Sequence, residues 1–350
     1  MVRSGRIHRL AKDAARFGTT GGPIELDWPT VIRRQRDIVK EFQPLPASLA
    51  KRGAEIILGE ARFADPHTLT VNRSALWGER IIIAAGSIPV VPKVPGVEAA
   101  ITSDEIMFLP VFPQRLVIVG AGAIGLEMAG AFSDFGAEVV IIGQEPEILP
   151  AFDSDVAGYV RKIFEGRGVT FHLGANLTSF SGRRGDVTVH FTKDGEPHEV
   201  TADQVCVAIG RRFKPETLGA ERLGLERGHL GLAVSPYLRT SMPHIYAAGD
   251  AAGNAQLTPV AAYEGRLAAH NALQGDQRIA DTTLVPQSVF TTPEVARIGL
   301  THRAATAGGV KCHVATQDLR GALNGRATGE DDGYLKLVFD GAQERLLGAQ

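Results

Sequence analysis

The sequence predicts an α/β protein in which parallel strands alternate with helices, and three observations carry that prediction. Residues 115–142 read RLVIVGAGAIGLEMAGAFSDFGAEVVII: an apolar, β-branched strand over Leu116–Val119, a glycine-rich turn, a helix, and a second apolar strand over Val139–Ile142. Three short apolar runs, IIIAAG at 81–86, VCVAIG at 205–210 and IYAAGD at 245–250, each lead through alanine to a glycine at or next to the end. Strands end this way at the carboxyl edge of a parallel sheet, where ligands approach the backbone. A chain of 350 residues that is 44% apolar and 22% charged has length for about two domains and the composition of a globular protein.

Taken in order, the elements begin with two helices. Ile7, Leu10, Ala11 and Ala14 recur at helical spacing in the basic N-terminal segment. A transit peptide shares that character, but Asp13 interrupts the positive face, and a packed helix is the better reading. The second helix opens at Asp27 with Pro29 in its first turn. Glu55–Leu58 and Thr68–Val71 are expected to be strands with a turn at Asp65-Pro66 between them. Arg80–Ala85 reads as a buried strand, followed by an extended connection through Pro89, Pro92 and Pro95. Beyond the strand–turn–helix–strand unit, residues 169–200 predict antiparallel strands with an Asp194-Gly195 turn, and Gln204–Ile209 a buried strand. The chain returns through Ile245–Asp250 to a helix with Thr258 as expected N-cap, Pro259 as first residue and Gly275 just past its end. A third region starts at Pro286.

The glycines of the central unit point to a ligand. In Gly120-x-Gly122-x-x-Gly125 the first permits a tight turn out of the strand. The second lets backbone approach a pyrophosphate, and the third lets the helix pack on the strand. Free N–H groups at the helix N-terminus then face the phosphates. Asp250, between a strand end and a helix start, can accept hydrogen bonds from ligand hydroxyls. Its alternative is a loop or capping aspartate. A net charge of −2 without a basic stripe argues against nucleic acid as a partner, and no apolar run reaches membrane-spanning length. Cys206 and Cys312 form no metal or redox spacing, so both read as incidental thiols in a reducing, cytoplasmic setting.

With these stretches in view, the chain resembles the flavoprotein pyridine nucleotide–disulfide oxidoreductases, the family of dihydrolipoamide dehydrogenase, glutathione reductase and mercuric reductase. IIIAAGSIPVVPKVPG, VIVGAGAIGLEMAGAF, VAIGRR, TSMPHIYAAGD, LTPVAAYEGRLAAHNAL and VFTTPEVARIGLT carry the likeness, in the family's order. The resemblance implies two Rossmann-like dinucleotide-binding domains, one for FAD and incomplete, one for NAD(P), plus a truncated α+β dimerisation domain. It divides the chain into 1–111 (FAD, first part), 112–242 (NAD(P)), 243–283 (FAD, second part) and 284–350 (dimerisation). It assigns Ala61, Ala85, Gly86, Ser87, Gly249, Asp250, Gln256, Leu257, Thr258 and Pro259 to FAD. It assigns Gly120, Ala121, Gly122, Ala123, Ile124, Gly125, Glu127, Gly143 and Gly210 to NAD(P), with Glu127 beside the nicotinamide as the catalytic candidate. Read without the family, Glu127 is a first-turn glutamate favoured by the helix dipole.

The implied activity is an oxidoreductase passing a hydride from NAD(P)H to FAD and electrons onward to a small-molecule or protein-borne disulfide, a dithiol or a metal ion, in a homodimer. NAD binders place an acid about 20 residues past the glycines. Here Gly143 stands there, no Arg or Lys lies in 143–150, and Glu145 and Glu147 would repel a 2′-phosphate, which favours NAD. The family's first strand–GxGxxG–helix, its redox-active cysteine pair and its C-terminal acid–base histidine have no counterpart, so the chain is expected to be a fragment, a mis-called start or a decayed gene product. Without the first, central strand, orphaned buried backbone groups would each cost about 1–3 kcal/mol. The alternatives are a disulfide-independent NAD(P)H oxidase or diaphorase, and a non-catalytic nucleotide-binding remnant.

Overall fold

Apolar β-branched runs with glycine at their ends assemble here into parallel sheets, and short alternating runs into antiparallel ones. The structure, a computed structural model, describes residues 1–41, 45–329, 332–341 and 345–350. The chain divides into two compact units: 1–36, 90–210 and 286–350 form one, and 37–89 with 211–285 form the other.

In the first unit, Arg115–Val119 lies at the centre of a five-stranded sheet ordered Ile101–Thr102, Gln204–Val207, Arg115–Val119, Glu138–Gly143, Thr170–Leu173. Every pairing in it is parallel; Val117, for example, lies between Val205 and Val140. Both faces are covered, which is why these strands are continuously apolar rather than alternating. The helix Ala123–Phe135 buries Leu126, Ala129 and Phe132 against the sheet, and Ser154–Gly166 adds Val160 and Phe164. The opposite face packs on an antiparallel meander, Asn176–Arg183, Asp186–Lys193 and Glu196–Ala202, through Val187, Val189 and Phe191. Its second turn is Asp194-Gly195, both at positive φ (53° and 84°), as a two-residue hairpin turn of that type requires. Residues 286–350 supply a second five-stranded sheet, Gln287–Val289, Val295–Gly299, Leu346–Ala349, Tyr334–Asp340 and Cys312–Asp318 in that order, antiparallel throughout.

In the second unit, Ile245–Ala247 pairs in parallel with Ile81–Ile83, and Ile88–Pro89 pairs antiparallel with Arg211–Arg212. A three-stranded meander runs Arg62–Asp65, Thr68–Val71, Ser74–Trp77. The helix Thr258–Gln274 packs Leu267, Ala268 and Ala272 beneath Tyr246 and Ala248.

Several expectations are corrected. Glu55–Leu58 is exposed backbone outside any strand, its Leu58 carbonyl accepting from Asn72 Nδ2 at 2.5 Å; Thr68–Val71 pairs instead with Arg62–Asp65 and Ser74–Trp77. An apolar run becomes a strand only where a ladder satisfies its backbone groups, and none reaches 55–58 among the described residues. The first helix, Val2–Lys12, buries Gly5 and His8, while Ile7 is 53% exposed. Contact distance outranks the apolar stripe: a Cβ at Gly5 would lie 2.9 Å from the Ala131 carbonyl oxygen, so only glycine permits this approach to the helix Ala123–Phe135. Ile82 projects outward between buried Ile81 and Ile83. The strand after the meander ends at Val207, and Ile209 is exposed ahead of the turn at Gly210. Thr258 is the first helical residue rather than the cap; extended Leu257 precedes it, and Pro259 occupies the first turn, where its missing N–H costs nothing. The start at Trp28, with Asp27 accepting from Thr30 N at 3.0 Å, is as expected. No helix among the described residues is long and apolar enough to cross a membrane.

Candidate functional site

Two groups of expected residues gather, one in each unit. In the first unit the turn between Arg115–Val119 and Ala123–Phe135 is built by glycine. Gly120 has φ 122°, and a Cβ on it would fall 2.3 Å from the Ala208 carbonyl oxygen. At Gly125 a Cβ would lie 2.0 Å from the Gly120 carbonyl oxygen, so the helix comes as close to the strand as backbone allows. Gly122, the residue before the helix, is different: a Cβ there would meet nothing within 4 Å. A helix start leaves the N–H groups of its first turn, here Ala123, Ile124 and Gly125 among them, without partners inside the helix, the arrangement that receives phosphate.

Ala121 is buried and Gly210 lies open at the next strand's end. Beside this turn a cleft of about 210 Å³ is lined by Gly120, Ile142, Gln144, Asn176 and Ile209. Gly143 ends its strand buried, with an added Cβ meeting Ala121 and Leu173 side-chain carbons at 3.0 Å. That packing explains why no acid stands at 143; Gln144 is the first side chain free to face the cleft. The polar side chains lining it are the amides of Gln144 and Asn176.

Glu127 is two residues past Gly125, half-buried, and its Oε1 accepts from the Phe290 N–H at 2.9 Å. Burial raises its pKa above the ordinary carboxylate value, and the Phe290 hydrogen bond opposes that only in part.

In the second unit, the ends of the parallel pair Ile81–Ile83 and Ile245–Ala247 bring Ala85, Gly86 and Ser87 beside Gly249 and Asp250. Ser87 Oγ donates to Asp250 Oδ2 at 2.5 Å. Gly86 is left-handed at φ 68° with open space beyond, and Gly249, at φ 63°, is pressed against Ala261. Buried Glu264 holds the turn from below, accepting from Gly249 N at 2.7 Å and Asn254 Nδ2 at 2.9 Å. Gln256 and Leu257 lead into the helix at Thr258 and Pro259, and Gln256 Nε2 is buried with no hydrogen-bond partner among the described residues. Ala61, half-buried, immediately precedes Arg62–Asp65 in the same unit.

Both groups of residues fit their nucleotides. The open Gly122 at a helix start suits a pyrophosphate. The open Gly86, the Asp250 carboxylate and the orphaned Gln256 amide suit a large polar ring system with a hydroxylated chain.

Sequence reasoning missed Arg211, Glu264 and Asn176. Arg211 Nη2 donates to Ser87 O at 2.8 Å and its Nε to Ser87 Oγ at 3.1 Å. A lone glutamate mid-helix, as at 264, offered one signal, because its neighbours on that face are apolar. Nothing local marked the other two. Cys206 is fully buried, and burial pushes its thiol up to about 12; Cys312 is also a free thiol. The two form no disulfide.

The pyridine nucleotide-disulphide oxidoreductase pattern matches residues 8–265, and the dimerisation domain of the same family matches 285–350. The mercuric reductase of Bacillus cereus is 30% identical over 355 residues, covering 100% of this chain and 56% of its own length. The dihydrolipoyl dehydrogenase of Bacillus subtilis (strain 168) is 30% identical over 99% of this chain and 77% of its own. The glutathione reductase of Burkholderia cepacia is 33% identical over 97% of this chain and 75% of its own. The chain thus spans about half to three quarters of these relatives. Among solved structures, the HOCl-induced flavoprotein disulfide reductase RclA from Escherichia coli matches with a TM-score of 0.83 at 28% identity, covering 99% of this chain and 78% of that one.

Proposed function

The chain belongs to the pyridine nucleotide-disulphide oxidoreductases, whose members are oxidoreductases working with FAD and NAD(P)H, and we propose on that premise that it holds both cofactors and passes electrons to a disulfide, dithiol or metal-ion acceptor. When bound, the two cofactors supply hydride transfer from NAD(P)H to flavin. The protein's part is to bind, orient and shield. Gly120, Ala121, Gly122, Ala123, Ile124 and Gly125 present backbone to the pyrophosphate, and Gly143 and Gly210 border the same turn. Glu127, with its raised pKa, is a carboxyl able to hold a proton near the nicotinamide. Ala61, Ala85, Gly86 and Ser87 offer backbone to FAD; Asp250 accepts from its ribityl hydroxyls; Gln256 to Pro259 face its ring.

We place the FAD-binding parts at 1–111 and 243–283, the NAD(P)-binding part at 112–242 and the dimerisation part at 284–350, in a cytoplasmic homodimer. The uncharged amide lining of the adenosine-side cleft favours NAD over NADP, since a 2′-phosphate wants Arg or Lys.

The observation that carries this reading is the open Gly122 at the start of a helix locked to its strand by Gly120 and Gly125. The test is to purify the chain with FAD, record the flavin bands, and follow flavin bleaching by NADH and NADPH in a stopped-flow instrument. A yellow protein bleached faster by NADH is expected. A colourless protein, or one indifferent to both nucleotides, would sink the proposal. A second reading, electron transfer straight from flavin to a dye or dioxygen, draws on the two free cysteines, one fully buried. Turnover with a dye but with no disulfide substrate would favour it.

A further inference from the structure

We infer that Arg211 is a positioning residue for the flavin site: it orients Ser87, and through Ser87 it fixes the Asp250 carboxylate. The inference rests on the reading of Asp250 as a flavin ligand.

The direction of the hydrogen-bond chain is set by chemistry. A guanidinium only donates, an ionised carboxylate only accepts, and a serine hydroxyl has a single proton to give. Ser87 Oγ therefore gives its proton to Asp250 Oδ2 at 2.5 Å and accepts from Arg211 Nε at 3.1 Å. Arg211 Nη2 also grips the Ser87 carbonyl oxygen at 2.8 Å, so main chain and side chain of one residue are held by one planar fork.

The fold brings the three together from distant sequence. Arg211 opens a two-residue strand, Arg211–Arg212, whose antiparallel pairing with Ile88–Pro89 sets it beside the loop at 87. Ser87 follows left-handed Gly86, and Asp250 stands in the first turn of Gly249–Ala252. Ser87 occupies Asp250 Oδ2, while Oδ1 makes no side-chain hydrogen bond among the described residues and remains for a ligand hydroxyl. Without the anchor on Oδ2 the carboxylate regains rotamer freedom and must be ordered by the ligand itself, which lowers affinity. Lysine cannot replace the fork, because it is a point charge that reaches one of the two Ser87 oxygens at a time.

Arg211 has other partners as well, so a single substitution does not isolate this path. A double-mutant cycle does. FAD dissociation constants are measured on the full chain by flavin fluorescence for the wild type, Arg211→Lys, Ser87→Ala, the double variant and Asp250→Asn. Unfolding midpoints without FAD are recorded for each. Ser87→Ala and Arg211→Lys are each expected to weaken FAD about five- to tenfold, and Arg211→Lys to add less than about twofold in a chain that already carries Ser87→Ala. Ser87→Thr, which keeps the hydroxyl, should restore both the affinity and the sensitivity to Arg211→Lys. A purely structural arginine would lower the FAD-free midpoint and weaken binding equally with and without the Ser87→Ala substitution; that additive result, or no effect of Arg211→Lys at all, overturns the inference while leaving Asp250 in place. A wild type that does not bind FAD, or an Asp250→Asn variant that binds as well as wild type, overturns the underlying reading and the inference together.

Discussion

Gly122 and Gly125 are three residues apart and answer to different constraints. Gly125 is needed by the fold: an alanine there would drive its Cβ against the Gly120 carbonyl oxygen, so Gly125→Ala should cost about 1–3 kcal/mol as overpacking does. Gly122 is not needed by the packing, since a methyl there meets nothing within 4 Å, and on the proposed reading it is needed by the ligand. Gly122→Ala should therefore leave the unfolding midpoint of the nucleotide-free chain unchanged and weaken NAD(P)H binding about tenfold or more, by filling the space a pyrophosphate takes. Calorimetric unfolding and nucleotide titration of the two variants separate the effects; a Gly122→Ala chain that binds normally would mean the turn holds no pyrophosphate. Glu264 is a second instructive residue. Its two oxygens meet two donors, Gly249 N and Asn254 Nδ2, and it is fully buried. Glu264→Gln preserves shape but turns an NH2 toward one donor, so a loss of about 1–3 kcal/mol is expected. Glu264→Asp, which keeps both acceptors but shortens the reach, tests whether charge or length matters more.

Among elements, Asp153 is one tie between the C-terminal sheet and the rest of its unit, beside contacts such as that of Glu127 with the Phe290 N–H. It precedes the helix Ser154–Gly166 and accepts from His302 N at 2.9 Å and Arg303 N at 3.0 Å, at the start of the helix His302–Ala307. Buried Lys336, on the strand Tyr334–Asp340, lies 3.1 Å from it and 2.7 Å from Asp155. Burial alone would raise the Asp153 pKa, but the hydrogen bonds from Arg303, His302, Lys336 and Gln350 outweigh it and hold the carboxyl at about 2. The unfolded value is about 3.9. A depressed folded pKa stabilises above the unfolded value and stops doing so as pH falls through the folded one, so docking of 286–350 should weaken between about pH 4 and pH 2. Hydrogen exchange of its strands across that window checks this, and Asp153→Asn should flatten the dependence. Lys336→Met, which strands a buried carboxylate, should cost about 3–5 kcal/mol.

The elements also show what is legible in the sequence. Arg115–Ile142 can be read because its strand period, glycine spacing and helix lie within one local stretch. Glu55–Leu58 misleads because a strand exists only with a partner, and partners are non-local. The first helix departs from its Ile7 stripe because one glycine contact with Ala131 decides its orientation. The Arg211–Ser87–Asp250 chain is invisible in the sequence because Ser87 lies more than a hundred positions from both of its partners.

At the scale of the whole molecule, the two sets of residues proposed to face the nucleotides do not mix. Ala61, Ala85, Gly86, Ser87 and Gly249 through Pro259 belong to the unit made of 37–89 and 211–285. Gly120 through Glu127, Gly143 and Gly210 belong to the other. A ligand stabilises what it binds by mass action, about 2.7 kcal/mol at a hundredfold excess over its dissociation constant. Local openings in a unit that holds no contact with that ligand are left alone unless the two are coupled. FAD should therefore slow amide exchange mainly in 37–89 and 243–283, and NADH, added to the flavin-free chain, mainly in 112–210. Hydrogen exchange with each nucleotide singly and with both reads the assignment directly. Protection of the wrong unit would reverse the assignment of the two fingerprints. If NADH protects more amides once FAD is bound than without it, the excess measures the coupling between the units.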